Sequence, residues 1–311
     1  MIDSQGVDVI LDKALKPIVT ILTPIYNRAD QLVDLWKSLC MQTDKKFEWL
    51  IVDDGSEENV EAVVQRAVDQ SDFGVRLISK PNGGKHTALN LGISQIATPM
   101  TFIVDSDDVL TMDAVEQIIK YYCKYIDNDE VCGFSFLRGF PNGTINGKLF
   151  KEDELINSYI NVRVNSNDML SDKAEAYKTK CLREYPFPEF LGERFLGEDV
   201  IWMRMARRYK TVHINKVIYI GQYQNDGLTK NRRKHNLQSP RGCVERAKEY
   251  LHKDIAIIPR IKAALQYNIY GRVAGYSYEK LSKESPSKLL TGLAIPIATI
   301  IRKKWTNRHL K

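Results

Sequence analysis

The first 110 residues alternate short, β-branched apolar segments with amphipathic segments, and this alternation constrains the fold more than any other feature of the chain. Strand patterns occupy residues 17–23, 47–52, 75–79 and 100–104, and helical patterns occupy residues 29–41, 57–69 and 86–96. Strands that are apolar on both faces and separated by helices are typical of a parallel sheet covered on both sides. The sequence therefore predicts an α/β fold with a doubly wound, mostly parallel sheet.

A cluster of polar residues follows each of these four predicted strands. The clusters span residues 23–28, 53–56, 80–86 and 105–108. Because parallel strands end at one edge of a sheet, and ligands bind there, the clusters are expected to converge on a single site.

Asp105 and Asp107 are the candidate metal ligands. Two residues apart on an extended backbone, they project to the same side, and carboxylate oxygens suit a divalent cation that neutralises a diphosphate. The alternative is a capping role, since Asp107 and Asp108 come shortly before a predicted helix whose N-terminus favours negative charge.

The clusters after the first three strands indicate nucleotide binding. The carboxylate of Asp53 or Asp54 could accept the imino N–H of a pyrimidine base, and Tyr26 could stack on that base. Gly84 and Lys85 lead into a helix whose N-terminus would favour phosphate. An ordinary loop and a plain Gly-Gly turn are the alternatives.

Two later segments are further candidates. Glu198 and Asp199 begin a predicted helix, and one of these carboxylates could remove a proton from an attacking hydroxyl. Electrostatics at a helix N-terminus would equally explain the pair. The basic segment 224–234 could close over a diphosphate or be an ordinary loop.

Five motifs, in this order and spacing, resemble those of glycosyltransferase family 2, the inverting enzymes with the GT-A type fold. They span residues 19–28, 50–56, 82–92, 102–108 and 197–202, and the resemblance extends over residues 17–235. It implies that Asp54 contacts uracil while Thr23 and Tyr26 line the base. It also implies that Asp105 and Asp107 hold Mn²⁺ or Mg²⁺.

The resemblance makes Asp199 the general base, with Glu198 as the second choice. The remaining motif residues are expected to help bind the donor. These residues are Pro24, Arg28, Asp53, Asn82, Gly84, Lys85, Asn90 and Ser106.

The resulting hypothesis is a metal-dependent inverting glycosyltransferase that moves a hexosyl or N-acetylhexosaminyl group from a UDP-sugar to a hydroxyl. The acceptor would be a glycan or a lipid-linked glycan in cell-surface polysaccharide or glycoconjugate synthesis. The alternatives are a sugar nucleotidyltransferase, a non-catalytic nucleotide-sugar-binding partner of a membrane glycan-assembly complex, and a nucleic-acid binder. No Gly-rich loop follows the first strand, which disfavours the nucleotidyltransferase, and recognised nucleic-acid motifs are not apparent.

Charge separates the two parts of the chain, since residues 1–200 carry a net charge of −12 and residues 201–311 one of +18. The C-terminal region, residues 236–311, is predicted to be helical, with breaks at Pro259, Pro286 and Pro296, and it follows a catalytic domain over residues 1–235. The apolar segment 289–301, with basic residues after it, is too short to cross a bilayer as a helix. It predicts contact with an anionic membrane surface or packing on protein, including a second copy of the chain.

An intracellular location is expected. Five cysteines form no C-x-x-C pair, and the N-terminal segment lacks the basic and apolar regions of a secretory signal. The predicted location is the cytoplasm, with peripheral contact at the inner face of the cell membrane.

Overall fold

A computed structural model describes residues 16–166, 168, 171–221 and 232–309. The chain forms two compact units. The sheet unit takes the described residues within Met1–Ser158, Met169–Pro186 and Arg208–Gln222, and the helical unit takes those within Tyr159–Asp168, Phe187–Arg207 and Tyr223–Lys311. The division into domains at residue 235 stays a prediction, while the contacts group residues 187–207 with the C-terminal helices.

The sheet unit is built on one mixed sheet. Its strands are β1 (Val19–Ile25), β2 (Phe47–Asp53), β3 (Gly74–Ser79), β4 (Met100–Ile103), β5 (Val109–Leu110), β6 (Val131–Gly139), β7 (Leu155–Asn157), β8 (Lys173–Lys178) and β9 (Lys210–Ile220). Its helices are α1 (Leu32–Cys40), which follows a 3₁₀ turn at Ala29–Gln31, α2 (Val60–Gln70), α3 (Lys85–Gln95), α4 (Ala114–Lys124) and α5 (Thr179–Glu184). The four predicted strands and the three helices between them are confirmed, with no end shifted by more than three residues.

The strand order is β3-β2-β1-β4-β8-β6-β9-β5, and β7 pairs with β9. Strands β3, β2, β1 and β4 are parallel, so the predicted doubly wound part of the sheet is confirmed. The chain leaves β1 toward β2 and β3, and returns to the other side of β1 with β4. The crevice at the carboxyl ends of β1 and β4 is therefore the place where an α/β sheet binds its ligand.

Strand β1 runs two residues further than predicted, through Pro24 to Ile25. Leu22 presents its carbonyl to β4, where it accepts a hydrogen bond from Val104 N, so the backbone nitrogen of Pro24 faces the same side. Pairing with β4 ends at Leu22, and the missing N–H therefore costs no ladder hydrogen bond.

Strand β8 was not predicted, because lysines stand where a buried strand would carry apolar residues. It runs antiparallel between β4 and β6. Lys178 is buried and donates from Nζ to the carbonyls of Tyr125 and Asn128, at 3.0 and 2.9 Å, just beyond the end of α4. The ammonium group thus satisfies carbonyls that the helix leaves free, which offsets the cost of burying its charge.

The helical unit contains a π-helical turn at Ile160–Val164 and the helices α6 (Asp199–Ala206), α7 (Arg232–Gln238), α8 (Pro240–Leu251), α9 (Ile257–Val273), α10 (Tyr278–Glu284) and α11 (Lys288–His309). Helix α9 packs against α8 and α11.

Two of the three predicted proline breaks are wrong. Pro259 lies in the first turn of α9, where its missing N–H has no partner to lose, and Pro296 lies inside α11. Only Pro286 separates two helices.

No helix in the described part of the chain is long and apolar enough to cross a membrane.

Candidate active site

Two ion pairs join the loops at the carboxyl ends of the parallel strands. Arg28, after β1, donates from Nη1 to Asp107 Oδ2 at 2.6 Å, and Lys85, at the start of α3, donates from Nζ to Asp105 Oδ1 at 2.5 Å. The Arg28 to Asp107 pair spans the crevice between β1 and β4. Partial burial would raise the pKa of Asp105, but Lys85 and more distant arginines lower it below its usual range. Both carboxylates keep part of their side-chain surface accessible.

Asp108 takes a different environment from its two neighbours. It is buried, and its Oδ2 accepts hydrogen bonds from Tyr219 Oη and Arg138 Nη2, each at 2.8 Å. Tyr219 Oη in turn accepts from the backbone N–H of Asp105 at 3.0 Å. Burial raises the pKa of Asp108 to about 6, although Arg138 opposes the shift. The capping alternative for Asp107 and Asp108 is wrong, because strand β5 separates them from α4.

Asp54 fixes the loop between β3 and α3. Its Oδ1 accepts from Gly83 N at 2.9 Å and from Lys80 Nζ at 2.7 Å, and its Oδ2 accepts from Gly84 N at 2.7 Å. Gly84 has a φ of +95°, which glycine adopts without strain. The predicted phosphate-binding turn is thus held in place by a buried carboxylate.

Asp53 and Asn27 join the β1 and β2 loops. Asp53 Oδ1 accepts from both the backbone N–H and the hydroxyl of Ser56, at 3.0 and 2.5 Å. Ser56 Oγ then accepts from Asn27 N at 2.9 Å, and Asn27 Oδ1 accepts from Glu57 N at 2.8 Å. These bonds hold the segment around Tyr26 against the β2 loop.

The residues predicted to surround the base differ in exposure. Tyr26 is 44% exposed at this edge, so its ring is accessible to a stacking partner. Thr23 has no exposed surface, and its Oγ1 accepts from Trp49 Nε1 at 2.9 Å. In this structure Thr23 is a core residue, and the side chain that reaches the surface is that of Tyr26.

The remaining predicted donor-binding residues lie on the same loops and on α3. Asn82 is half-buried, and its Oδ1 has no hydrogen-bond partner among the described residues. Asn90 is half-buried on α3, Ser106 is buried between Asp105 and Asp107, and Pro24 lies within β1.

The donor set of Asp105 and Asp107 fits a divalent cation shared with a diphosphate. No group of three or more His, Cys, Asp or Glu side chains that could hold a metal occurs among the described residues. A small hard cation bound with substrate phosphates needs only one or two protein carboxylates, since phosphate and water oxygens complete its coordination. The two carboxylates are of the right type, and both lie at the sheet edge.

Asp199 lies in the helical unit, at the first position of α6. Arg246 of α8 donates to it from Nε at 2.8 Å and from Nη2 at 2.6 Å, and Tyr250 Oη donates to Asp199 Oδ2 at 2.6 Å. Burial would lower the pKa of Arg246, but the Asp199 carboxylate outweighs it and raises that pKa. The Asp199 side chain is only 11% exposed.

Glu198, the second candidate base, directly precedes α6 and is half-buried. Segment 224–234 is predicted to close over a diphosphate. Its residues 224–231 lie outside the described part of the chain. The structure thus brings Arg28, Lys85, Asp105 and Asp107 together in the sheet unit, and places Glu198 and Asp199 in the helical unit.

Several residues that shape these centres were not predicted. Lys80 and Arg138 each bind a buried carboxylate of the sheet unit, and Arg246 and Tyr250 bind Asp199. Arg246 and Tyr250 stand four residues apart and share one face of α8, but that spacing alone does not reveal a partner some 50 residues away in sequence.

Comparison with known proteins agrees with this arrangement. Residues 20–171, about half of the chain, match the family described as glycosyl transferase family 2. Over this range the chain is a member of glycosyltransferase family 2, which confirms the resemblance found in the motifs.

Relatives and solved structures extend the comparison. Chondroitin synthase of Pasteurella multocida is 27% identical over 211 residues, which cover 65% of this chain and 20% of that protein. The chain spans about a fifth of the length of the first curated relatives that it matches.

Two solved structures share the fold at low sequence identity. Staphylococcus aureus TarS (residues 1–349) in complex with UDP-GlcNAc has a TM-score of 0.61 at 16% identity, covering 92% of this chain and 81% of that one. The mannosyltransferase PcManGT of Pyrobaculum calidifontis, in complex with GDP-Man and Mn²⁺, has a TM-score of 0.57 at 18% identity, covering 96% of this chain and 85% of that one. The fold is therefore of the GT-A type, with a helical C-terminal region.

Proposed function

We propose that this protein is an inverting glycosyltransferase that moves a sugar from a UDP-sugar to a hydroxyl of a glycan or lipid-linked acceptor. The observation that carries the proposal is the acidic pair Asp105 and Asp107, held by Lys85 and Arg28 at the switch point of a family 2 sheet. Such an edge offers both negative ligands for a cation and positive groups for phosphate.

The proposed donor site lies on the loops after β1, β2 and β3. Tyr26 would stack on the base, and Asp53 or Asp54 would accept from uracil. Asn82 Oδ1, which has no partner among the described residues, would accept a further hydrogen bond from the donor. The complex of TarS with UDP-GlcNAc supports a uridine nucleotide.

Asp105 and Asp107 would hold Mn²⁺ or Mg²⁺ against the diphosphate, and the complex of PcManGT with Mn²⁺ supports this assignment. A bound divalent cation supplies Lewis-acid stabilisation of the departing nucleoside diphosphate. Lys85 and Arg28 would then lose their carboxylate partners and bind phosphate oxygens instead. Their charges are already at the edge, so the exchange requires side-chain movement only.

Inversion requires a hydroxyl to attack the anomeric carbon opposite the leaving group, with a base to take its proton. We assign that role to Asp199, with Glu198 as the second choice. The Arg246 pair fixes the Asp199 carboxylate in one orientation, as a base aligned with a single hydroxyl requires.

The acceptor is proposed to be a cell-surface polysaccharide or glycoconjugate, and the group transferred a hexosyl or N-acetylhexosaminyl unit. The likeness to chondroitin synthase supports a polysaccharide acceptor. Peripheral contact with the inner face of the cell membrane belongs to the same proposal, since a lipid-linked acceptor would be presented there.

Slow hydrolysis of nucleotide sugars by the purified protein tests the proposal. The protein is incubated with Mn²⁺ and a panel of UDP-, GDP- and CDP-sugars, and the released nucleoside diphosphate is measured. We expect release from one or a few UDP-sugars, and none from the Asp105→Asn variant. Turnover of no donor, together with no calorimetric binding of UDP, would overturn it.

A further inference from the structure

Helix α11 buries three small side chains and leaves four large apolar side chains exposed. Thr291, Ala294 and Ala298 are buried, whereas Leu289, Leu293, Ile297 and Ile300 are between 56% and 72% exposed. These four exposed residues recur at the spacing of one helical face. We refer to them as the α11 apolar face.

A second group of exposed apolar residues lies at the start of α9. Ile257, Ile258 and Ile261 are all about half exposed or more. Arg260 donates from Nη2 to Ser287 Oγ at 3.3 Å, which ties this turn of α9 to the residues directly before α11. The second group therefore lies on the turn of α9 that contacts the beginning of α11.

Lysines flank the α11 apolar face at both ends. Lys288 precedes Leu289, and Lys303 and Lys304 follow Ile300 by one turn, and all three side chains are exposed. Residues 286–311 contain no Asp or Glu. The face is thus an apolar stripe with positive charge at its two ends.

Two occupants could cover such a face, a second copy of the chain and a membrane. Antiparallel pairing of two α11 faces would place Lys288 of one copy beside Lys303 and Lys304 of the other. Parallel pairing would place the same lysines side by side, and α11 offers no carboxylate to compensate in either case. An anionic lipid surface, in contrast, accepts the apolar stripe between its acyl chains and the lysines at its headgroups.

Trp305 has a structural role in this unit. Its ring lies 6.3 Å from that of Tyr270, and the guanidinium of Arg233 lies over it at 4.6 Å. Trp305 therefore fixes the end of α11 on its own unit, and Lys303 and Lys304 remain exposed beside it.

We propose that the α11 apolar face and its flanking lysines bind an anionic membrane surface, with α11 lying parallel to that surface. The Leu and Ile side chains enter the boundary between headgroups and acyl chains, and Lys288, Lys303 and Lys304 contact acidic headgroups. This proposal deepens the membrane contact that forms part of the proposed function, and it concerns only residues of the helical unit. Vesicle binding and sugar transfer are measured separately, so one can fail without the other.

Vesicle flotation with the full chain tests it, using phosphatidylcholine vesicles with and without about 30% phosphatidylglycerol. The wild type should float with the anionic vesicles only, and high salt should weaken its binding. Leu293→Ser combined with Ile297→Ser should lower the partition coefficient about tenfold or more. The matched control, Leu149→Ser combined with Leu191→Ser, removes two exposed leucines elsewhere and should float as the wild type does.

A charge variant and an oligomer measurement complete the test. Lys303→Glu with Lys304→Glu should also abolish flotation, whereas Lys148→Glu with Lys151→Glu, which changes the net charge equally, should not. Unchanged flotation of the Leu293/Ile297 variant would overturn the proposal. The proposal would also be overturned if the wild type bound no vesicles and formed a dimer that the Leu293/Ile297 variant dissociates. An Asp107→Ala variant should float normally, so loss of transfer and loss of membrane binding are separable.

Discussion

The two acidic centres of this protein hold their carboxylates in opposite ways. At the sheet edge, Asp105 and Asp107 each pair with one flexible cation, and all four side chains keep between 14% and 37% of their surface exposed. In the helical unit, Asp199 is held by two nitrogens of Arg246 and by Tyr250, with 11% exposure. The first arrangement can exchange partners at little cost, whereas the second cannot.

This difference supports the separate chemical tasks that we propose for the two centres. A carboxylate that must release a protein cation and accept a metal needs an accessible, singly bonded partner. A carboxylate that must keep one orientation gains from a forked, bidentate clamp, since the guanidinium matches its geometry. Breaking each centre should therefore give a distinct combination of lost turnover, lost binding and lost stability.

Asp199→Asn should have the largest effect on turnover, a fall of about 10²–10⁴-fold, because the amide cannot accept a proton. UDP and Mn²⁺ should still bind. The variant should also lose about 3 kcal/mol of unfolding free energy. This is the low end of the range for a broken buried ion pair, because the Arg246 side chain keeps 22% of its surface exposed. Turnover, calorimetry and urea unfolding measure the three effects.

The double variant Asp199→Asn with Arg246→Met separates the two roles of Asp199. Removal of the unpaired guanidinium should restore stability while turnover stays low. If turnover returns together with stability, Asp199 only positions α6 and is not the base. Glu198→Gln is the matched control and should retain turnover, so an inactive Glu198→Gln beside an active Asp199→Asn would reassign the base.

Asp107→Ala should reduce transfer on the order of 10³-fold, the equivalent of several kcal/mol of Lewis-acid stabilisation. The cause should be loss of metal-dependent donor binding, because the diphosphate charge is then uncompensated and Arg28 has lost its partner. Calorimetry of UDP with and without Mn²⁺ measures it. Asp34→Ala removes an exposed carboxylate of the same unit and should change neither quantity. Full activity of the variant in metal-chelated buffer would remove the metal from the proposal.

The sequence predicted the sheet-edge centre better than the helical one for a physical reason. The loops that follow the strands of a parallel sheet converge by topology. The positions of Asp105, Asp107 and Lys85 in or directly after such loops were therefore enough to predict that they lie together. The partners of Asp199 come from α8, and the packing of one helix on another leaves no comparable rule in the sequence. The clamp by Arg246 and Tyr250 therefore became visible only in the structure.

Strand β8 and Thr23 illustrate the same limit. The lysines Lys173 and Lys178 made β8 unrecognisable as a buried strand. Both are buried because their ammonium groups donate hydrogen bonds to backbone carbonyls, which offset the cost of burying the charge. The predicted first strand ends at Thr23, which placed this residue among the candidate site residues. The observed strand β1 continues for two more residues, so Thr23 lies inside the strand and its side chain points into the core toward Trp49.

Asp54→Asn should chiefly lower the stability of the sheet unit, by about 1–3 kcal/mol, because an amide nitrogen would face the donors of Gly83, Gly84 and Lys80. Urea unfolding measures the loss. Asp72→Asn changes a largely exposed carboxylate of the same unit and should leave stability nearly unchanged. A fully stable Asp54→Asn variant that loses its preference for UDP over CDP would instead favour direct contact with the base.

Tyr26→Ala should have the smallest effect, a fall of about tenfold in UDP affinity, since stacking of one base on an aromatic ring contributes about 1–3 kcal/mol. Stability should not change, because Tyr26 is 44% exposed. Calorimetry of UDP measures the affinity, and Tyr26→Phe, which keeps the ring, should bind UDP as the wild type does. Equal loss in both variants would assign the contribution to the hydroxyl group. Unchanged affinity in Tyr26→Ala would place the base elsewhere on the sheet edge, and the bonds that hold the Tyr26 segment through Asn27 and Ser56 would then serve the loop alone.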